Sequence, residues 1–386
     1  MKPLRVAILT TDKRDHERDY ADPVPSFGAA PEALLQGFAG LPEVDIHVVS
    51  CVHRPIISPA KIAPNIFYHS LVVPKLGWMR TLYLGCHRAV RKKLREIKPD
   101  LVHGQGTELD CGSVAARSGF PNVLTIHGNM KAIAELYHSR PGSFQWLAAK
   151  LETPALKKTG GVFCNSAYTE NLVAPRAKKI WRVPNALRAE FFAPLPQKRN
   201  SAVPVILNIG AMEPRKQQLE LLAVARRLHD RGLKFELQFI GKTSASDYGK
   251  NFARELVHAE KAGFARHRGE MSTAQIIAAL DAAAALIHFP TEEAFGLVTA
   301  EALARNLKFF GSAVGGGVEI AGGADGAELF PANDFAGLEN AIARWLDAGS
   351  PSPQNAAAAM RARYHPEVIA RRHLEIYREV LAGKSA

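Results

Sequence analysis

Short, nearly uninterrupted apolar strands alternate with helical stretches along most of the chain, and that alternation leaves few folds open. In the first half the strand candidates are RVAILTT (5–11), DIHVVSC (45–51), IFYHSLVV (66–73), LVHGQG (101–106), NVLTIHG (122–128), GVFCNS (161–166) and KIWRVPN (179–185). A strand apolar on both faces has to be covered on both, so these segments predict a parallel sheet between two helical layers. The proline-rich stretch AEFFAPLPQKRNSAVP interrupts the pattern and reads as a linker. The alternation restarts with VPVILNIG (203–210), KFELQFIG (234–241), ALIHFP (285–290) and LKFFGSAV (307–314). A length of 386 residues also exceeds one ordinary domain. The expectation is an α/β protein of two facing Rossmann-like, doubly wound domains, residues 1–192 and 205–364, with a helix in 365–386 crossing back to the first. Ligands bind beyond the carboxyl ends of strands in such sheets, which places the expected site in an interdomain cleft.

Charge narrows the partners. The first 200 residues hold 28 Lys and Arg against 16 Asp and Glu, whereas residues 201–386 hold 21 of each. The surplus is densest around RTLYLGCHRAVRKKLREIKPD, a predicted helix with Leu82, Cys86, Val90, Leu94 and Ile97 on one face and most of its cations elsewhere. Such a helix suits an anionic membrane surface, with Trp78 placed for a headgroup layer; the plainer alternatives are a solvated basic face and a core tryptophan. Nucleic acid is not expected, because no stacking or groove-reading motif accompanies the basic run. No stretch reaches the roughly 18 apolar residues of a membrane span, and RVAILTT is too short for a secretory signal core. The reading is a cytoplasmic protein, peripheral on the inner face of the plasma membrane where the basic helix docks. Cys51, Cys86, Cys111 and Cys164 are far apart and form no CxxC, which points to reduced, structural thiols rather than a disulfide framework or zinc knuckle.

Several phosphate-binding motifs are missing. The first strand runs into Thr10, Thr11, Asp12, Lys13 and Arg14, with no glycine before Gly28, so no dinucleotide fingerprint follows it. The GKT at 241–243 lacks the earlier glycine of a P-loop, Glu236 standing in its place. With neither HExxH nor an Asp-x-Asp pair, no metal is expected, and any diphosphate charge falls to side chains and backbone amides. The most specific segment is ALIHFPTEEAFGLVTAEALA, a buried strand, a loop with Glu292 and Glu293, and a helix opened by Gly296 and containing Glu301. The amides near Phe295, Gly296 and Leu297 face the positive end of the helix dipole and suit a diphosphate. Glu293 and Glu301 flank that point as hydrogen-bond acceptors for hydroxyl pairs, the first for a sugar and the second for a ribose.

Glu293 to Glu301 is an E-x7-E motif, EAFGLVTAE, and it resembles that of the family-4 retaining glycosyltransferases of GT-B fold. ILNIG with AMEPRKQQLELLAVARRL, SAVGGGVEI with Gly316, Gly317 and Glu319, and the first-half segments PDLVHGQG, LTIHG, FCNSAYT and VPNALRAEFF are similar to further elements of that family, in order. The resemblance covers nearly the whole chain. It implies transfer of a hexose from a nucleotide diphosphate sugar, foremost a UDP-sugar, to a hydroxyl of a glycan, glycolipid or small polar acceptor, as in polysaccharide biosynthesis, without cofactor or metal. It further implies that Glu293, Lys216 and His127 act in catalysis and that Gly28, Arg215, Arg268, Phe295, Gly296, Leu297 and Glu301 bind the donor. The pattern departs from the family at Ala211, where an arginine is usual, at Phe27, Ala29 and Ala30 around Gly28, at Ala186, and at Asn306 and Lys308. A GT-B epimerase and a non-catalytic nucleotide-sugar or glycan binder are the alternative readings of the same motifs.

Overall fold

The structure is a computed structural model that describes residues 2–195 and 203–383; residues 196–202 of the expected linker lie outside the described residues, as do positions 1 and 384–386 of the expected end segments. The chain divides into two units, Met1–Arg188 with Tyr364–Ala386, and Ala189–Arg363. Fourteen strands are present among the described residues: β1 Leu4–Leu9, β2 Val44–Val52, β3 Lys61–Ala63, β4 Ile66–Val72, β5 Leu101–Gln105, β6 Asn122–Ile126, β7 Val162–Cys164, β8 Ile180–Arg182, β9 Val205–Ile209, β10 Glu236–Ile240, β11 Ala265–His267, β12 Ala285–His288, β13 Lys308–Ser312 and β14 Ala327–Phe330.

In the first unit the sheet order is β3-β4-β2-β1-β5-β6-β7-β8, parallel throughout except for β3 against β4. Val6 of β1 sits opposite Ile46 of β2 and Leu101 of β5. Along β1, Val6 and Ile8 pack into one apolar cluster while Ala7 and Leu9 pack into another on the opposite face, so the strand is buried on both sides, as its unbroken apolar sequence requires. The helix Pro366–Ala382 belongs to this unit. It lies against the helix Ala29–Ala39, where Gly37 permits the approach: an added Cβ would stand 2.2 Å from the Pro366 carbonyl oxygen. Tyr377 and His373 of that helix stack on Phe38 and Phe163.

The second unit holds a six-stranded sheet, β11-β10-β9-β12-β13-β14, parallel throughout, around a core that includes Leu221, Phe239, Ile287, Phe310 and Trp345. It begins at Ala189, inside the expected first domain of residues 1–192 and ahead of the expected start at 205. The cause is Arg305, almost wholly buried, which pairs with Asp281 and donates to the carbonyls of Phe191, Ala193 and Pro194, fastening the turn Ala189–Phe192 to this unit. Asn306, one of the positions that depart from the resembled pattern, adopts a φ of 52°, a left-handed conformation that asparagine tolerates, and its side chain accepts from the Ala357 amide.

Each expected strand segment carries a strand. β3, β11 and β14 were not expected, being three or four residues long and only partly buried, without an apolar run to reveal them. The basic helix spans Leu84–Ile97 and buries Cys86, Val90, Leu94 and Ile97, but not Leu82, which precedes it with a φ of 50° and is mostly exposed. Cys51, Cys86 and Cys111, distant in sequence, share one apolar cluster because β2 and the helices Leu84–Ile97 and Asp110–Ala116 pack on the same face.

Candidate functional site

In the second unit the chain winds from β9 outward through β10 and β11, then returns to build β12, β13 and β14 on the other side, so the winding reverses between β9 and β12. Loops leaving that point are where an open α/β sheet holds a ligand. Lys216 ends the turn Pro214–Lys216 after β9; His288 is the last residue of β12, and Glu293 lies in the loop beyond it. Glu293 Oε2 accepts from Lys216 Nζ at 2.6 Å and from His288 Nε2 at 2.9 Å. Burial by itself would raise the Glu293 carboxyl, but the Lys216 ammonium and the His288 hydrogen bond outweigh it and hold the group well below the usual carboxylate range. Burial, and then the Lys216 charge, push His288 down to about 4 against the pull of Glu293. The imidazole is therefore neutral, and because a carboxylate only accepts, its one N–H sits on Nε2. Lys216 Nζ and His288 Nε2, 3.4 Å apart, are then both donors and share Glu293 instead of bonding to each other.

Glycines shape the surroundings. Gly315 has a φ of 55° and its added Cβ would fall 1.8 Å from the Glu293 carbonyl oxygen, while the Gly316 amide donates to that oxygen at 2.9 Å. The glycine-rich turn thus backs directly onto Glu293. Gly296 turns the chain into the helix Leu297–Ala304 with a φ of 96°. Phe295 is buried, so at this helix start the groups offered to a ligand are backbone amides rather than an aromatic face. Glu301 is 8% exposed, so it is a buried helix carboxylate and not a solvated one. Arg215 donates to the Glu292 carbonyl at 2.8 Å and its own carbonyl accepts from the Thr291 amide at 2.9 Å, so it fastens the loop that carries Glu293. Arg268 is exposed after β11; its amide donates to Phe239, its guanidinium to Gln238, and the neighbouring Gly269 carbonyl accepts from Gly241.

The remaining expected residues belong to the first unit. His127 directly follows β6, half-buried, and its Nε2 donates to Gln105 Oε1 at 2.9 Å. Burial pushes His127 down to about 4, so it too is neutral. The next amide, Gly128, donates to Glu108 at 2.8 Å, and burial raises that carboxyl. His103 is a core residue, between Tyr377 at 2.5 Å and Thr125 at 2.7 Å. Gly28 precedes the helix Ala29–Ala39 with an ordinary φ of −65°, and an added Cβ would meet only Pro31, at 3.4 Å; the local fold does not demand glycine there. Sequence reasoning missed His288, Gln105 and Gly315. The first two were hidden inside apolar strands, and the third was one more glycine in a run.

Outside these loops, Arg88, Arg91, Lys92, Arg95 and Arg117 line an open groove of about 580 Å³ with Leu82 and Leu84. Leu76 nearby is 75% exposed. Trp78 stacks face to face on His53 at 4.0 Å and donates to the Val73 carbonyl. No helix among the described residues is long and apolar enough to cross a membrane.

The family model described as Glycosyltransferase Family 4 matches residues 33–191, and the model described as Glycosyl transferases group 1 matches residues 194–363. Among solved structures, the chain is similar to sucrose-phosphate synthase from Thermosynechococcus elongatus, with 20% identity, a TM-score of 0.78, and coverage of 98% of this chain and 100% of that one. It is also similar to Anabaena HepE in complex with UDP-glucose, with 15% identity, a TM-score of 0.73, and coverage of 97% and 100%. A glycosyltransferase from Rickettsia africae ESF-5 gives 15% identity, a TM-score of 0.68, and coverage of 99% of both chains. At these identities the likeness is one of fold. No curated protein sequence matches the chain.

Proposed function

Since the chain belongs to the family-4 glycosyltransferases and has their GT-B fold, we propose that it transfers a hexose with retention from a nucleotide diphosphate sugar to an acceptor hydroxyl. The observation that carries this reading is the ion pair of Lys216 with Glu293, steadied by neutral His288, at the reversal point of the second sheet. Glu293, kept ionised, accepts hydrogen bonds from hydroxyls of the transferred sugar. Lys216 has two further N–H bonds to turn toward the diphosphate. The amides that open the helix Leu297–Ala304 add donors for the same charge, Glu301 accepts from the ribose, Arg215 holds the loop, and backbone near Arg268 reads the base. Gly28 admits close backbone approach to the phosphates. The bond from anomeric carbon to diphosphate oxygen breaks as the acceptor oxygen attacks the same face, and the hydroxyl proton passes to the departing diphosphate. His127, neutral, orients a sugar hydroxyl. Charge on the leaving group is met by Lys216 and amides, and the sequence lacks an Asp-x-Asp pair to recruit a cation, so the reaction is proposed to run without metal.

HepE was solved with UDP-glucose, which makes a UDP-hexose the first donor to try. The acceptor is proposed to be a glycan or a lipid-linked glycan at an anionic membrane, reached through the basic groove beside Leu76 and Leu82. A thermal-shift panel of nucleotide sugars tests the donor: a ligand at 100 times its Kd stabilises the native state by about 2.7 kcal/mol. No shift with any nucleotide sugar, in a protein whose Lys216→Met variant melts differently from wild type, would count against the donor site. Isomerised donor without acceptor would replace transfer by epimerisation.

A further inference from the structure

The first unit buries a polar cluster that the proposed transfer does not use. Cys51 lies near the end of β2, Cys86 in the first turn of the helix Leu84–Ile97, and Asp110 and Cys111 open the helix Asp110–Ala116. The sulfurs of Cys51 and Cys86 and a carboxylate oxygen of Asp110 lie within 4.8 Å of one another, and all three residues are buried. Cys111 Sγ is 3.9 Å from Asp110 Oδ1. The thiols of Cys51, Cys86 and Cys111 face the Asp110 carboxylate. Thiols are weak donors, and that of Cys86 is also directed to the Gly77 carbonyl at 3.8 Å. The hydroxyl of Tyr83, in the same apolar cluster and 1% exposed, has no hydrogen-bond partner among the described residues. Buried thiols alone are ordinary small hydrophobes. A buried carboxylate among them, beside an unpartnered phenol, is not, because such groups are costly unless completed by a partner.

We infer that Cys51, Cys86 and Asp110, joined by Cys111, form a binding site for one soft divalent cation, Zn²⁺ before others. Thiolate sulfur with a single carboxylate suits zinc and excludes magnesium and calcium, which take oxygen ligands. Ligand atoms around tetrahedral zinc stand roughly 3.5–3.8 Å apart, so Cys51, Cys86 and Asp110 need close by only about 1 Å, while Cys111, outside that trio, must swing in to complete the set. On binding, the thiols lose their protons to solvent and the cation offsets the thiolate and carboxylate charge. Four protein ligands leave no open position, so the ion would tie β2 to the two helices and take no part in catalysis. This goes beyond the transfer reading and stands or falls separately from it.

The test uses Co²⁺ as the probe, added to the whole reduced chain after chelator treatment. One equivalent should bind with a thiolate-to-cobalt charge-transfer band in the near ultraviolet, Zn²⁺ should bleach that band, and Zn²⁺ should raise the melting temperature. Cys51→Ser with Cys86→Ser should abolish the band, whereas Asp110→Asn, which keeps every thiol, should retain it with weaker binding. Wild-type protein without the band at saturating Co²⁺, or a double variant with the wild-type band, overturns the site. Should the double variant fail to fold, titration of zinc-loaded wild type with a mercurial decides: zinc released as two or more buried thiols react supports the site, and thiols that react with no zinc released overturn it.

Discussion

Replacing Lys216 by methionine removes the cation 2.6 Å from Glu293 while keeping the length of the side chain. At that separation the attraction is about 6 kcal/mol for an effective dielectric of about 20. The ammonium's own desolvation, of several kcal/mol, is relieved by the same change, which leaves a net loss of about 3 kcal/mol, the low end for breaking a buried pair. The low end is apt because the two side chains keep 15% and 14% of their exposure. Glu293→Gln should cost a similar amount by stranding Lys216, and the double variant should recover part of it, with a coupling of about 2 kcal/mol. The pH dependence has a definite sign. Glu293 is depressed in the folded state, so its contribution is complete above its ordinary 4.5 and is lost as pH falls through the lower folded value. In Lys216→Met burial dominates and raises the carboxyl above its ordinary 4.5, so the deficit against wild type is greatest near neutrality and narrows as pH falls through that raised value. Urea unfolding of the four proteins across pH measures both quantities, and single-turnover nucleotide release should show each single variant slowed by about 10²–10³-fold. Additive stabilities, or a deficit that widens in acid, would refute the ion pair as the organiser of this site.

Gln105→Leu deprives the His127 N–H of its acceptor and should lower kcat roughly tenfold, the worth of one hydrogen bond, with the fold retained by circular dichroism. Because His127 titrates at about 4, the pH–rate profile should carry no inflection at the ordinary histidine value from this residue. Gly315→Ala drives a methyl group into the Glu293 carbonyl at a left-handed φ, and should cost about 2 kcal/mol in urea unfolding and raise the donor KM. For the membrane reading, Arg91→Glu, Lys92→Glu and Arg95→Glu together should release the protein from anionic vesicles in flotation, since each surface cation is worth about 1 kcal/mol there. Unchanged flotation would remove that surface from consideration.

The strands were legible because their signal is local. A segment such as Val6, Ala7, Ile8 and Leu9 cannot be solvated on either face, so its burial between two layers follows from composition alone. The spacing of Glu293 and Glu301 around Gly296 was likewise readable, since a helix start and its carboxylates lie within nine residues of chain. The partly exposed strands Lys61–Ala63 and Ala265–His267 and the entry to the basic helix escaped because nothing in so short a window, without an apolar run, distinguishes Lys61–Ala63 from loop, or tells that Leu82 and Tyr83 both take left-handed conformations. Contacts across long separations were beyond sequence in kind. His288 gains its role only when β12 is laid beside β9 and its imidazole, emptied of charge by burial, is set against Glu293 and Lys216. Cys51, Cys86 and Asp110 looked unrelated in the linear chain, and the packing of two helices on one sheet face brought them together. Electrostatics and ligand geometry depend on distances in space, and those are decided by which strands pair and not by how many residues lie between.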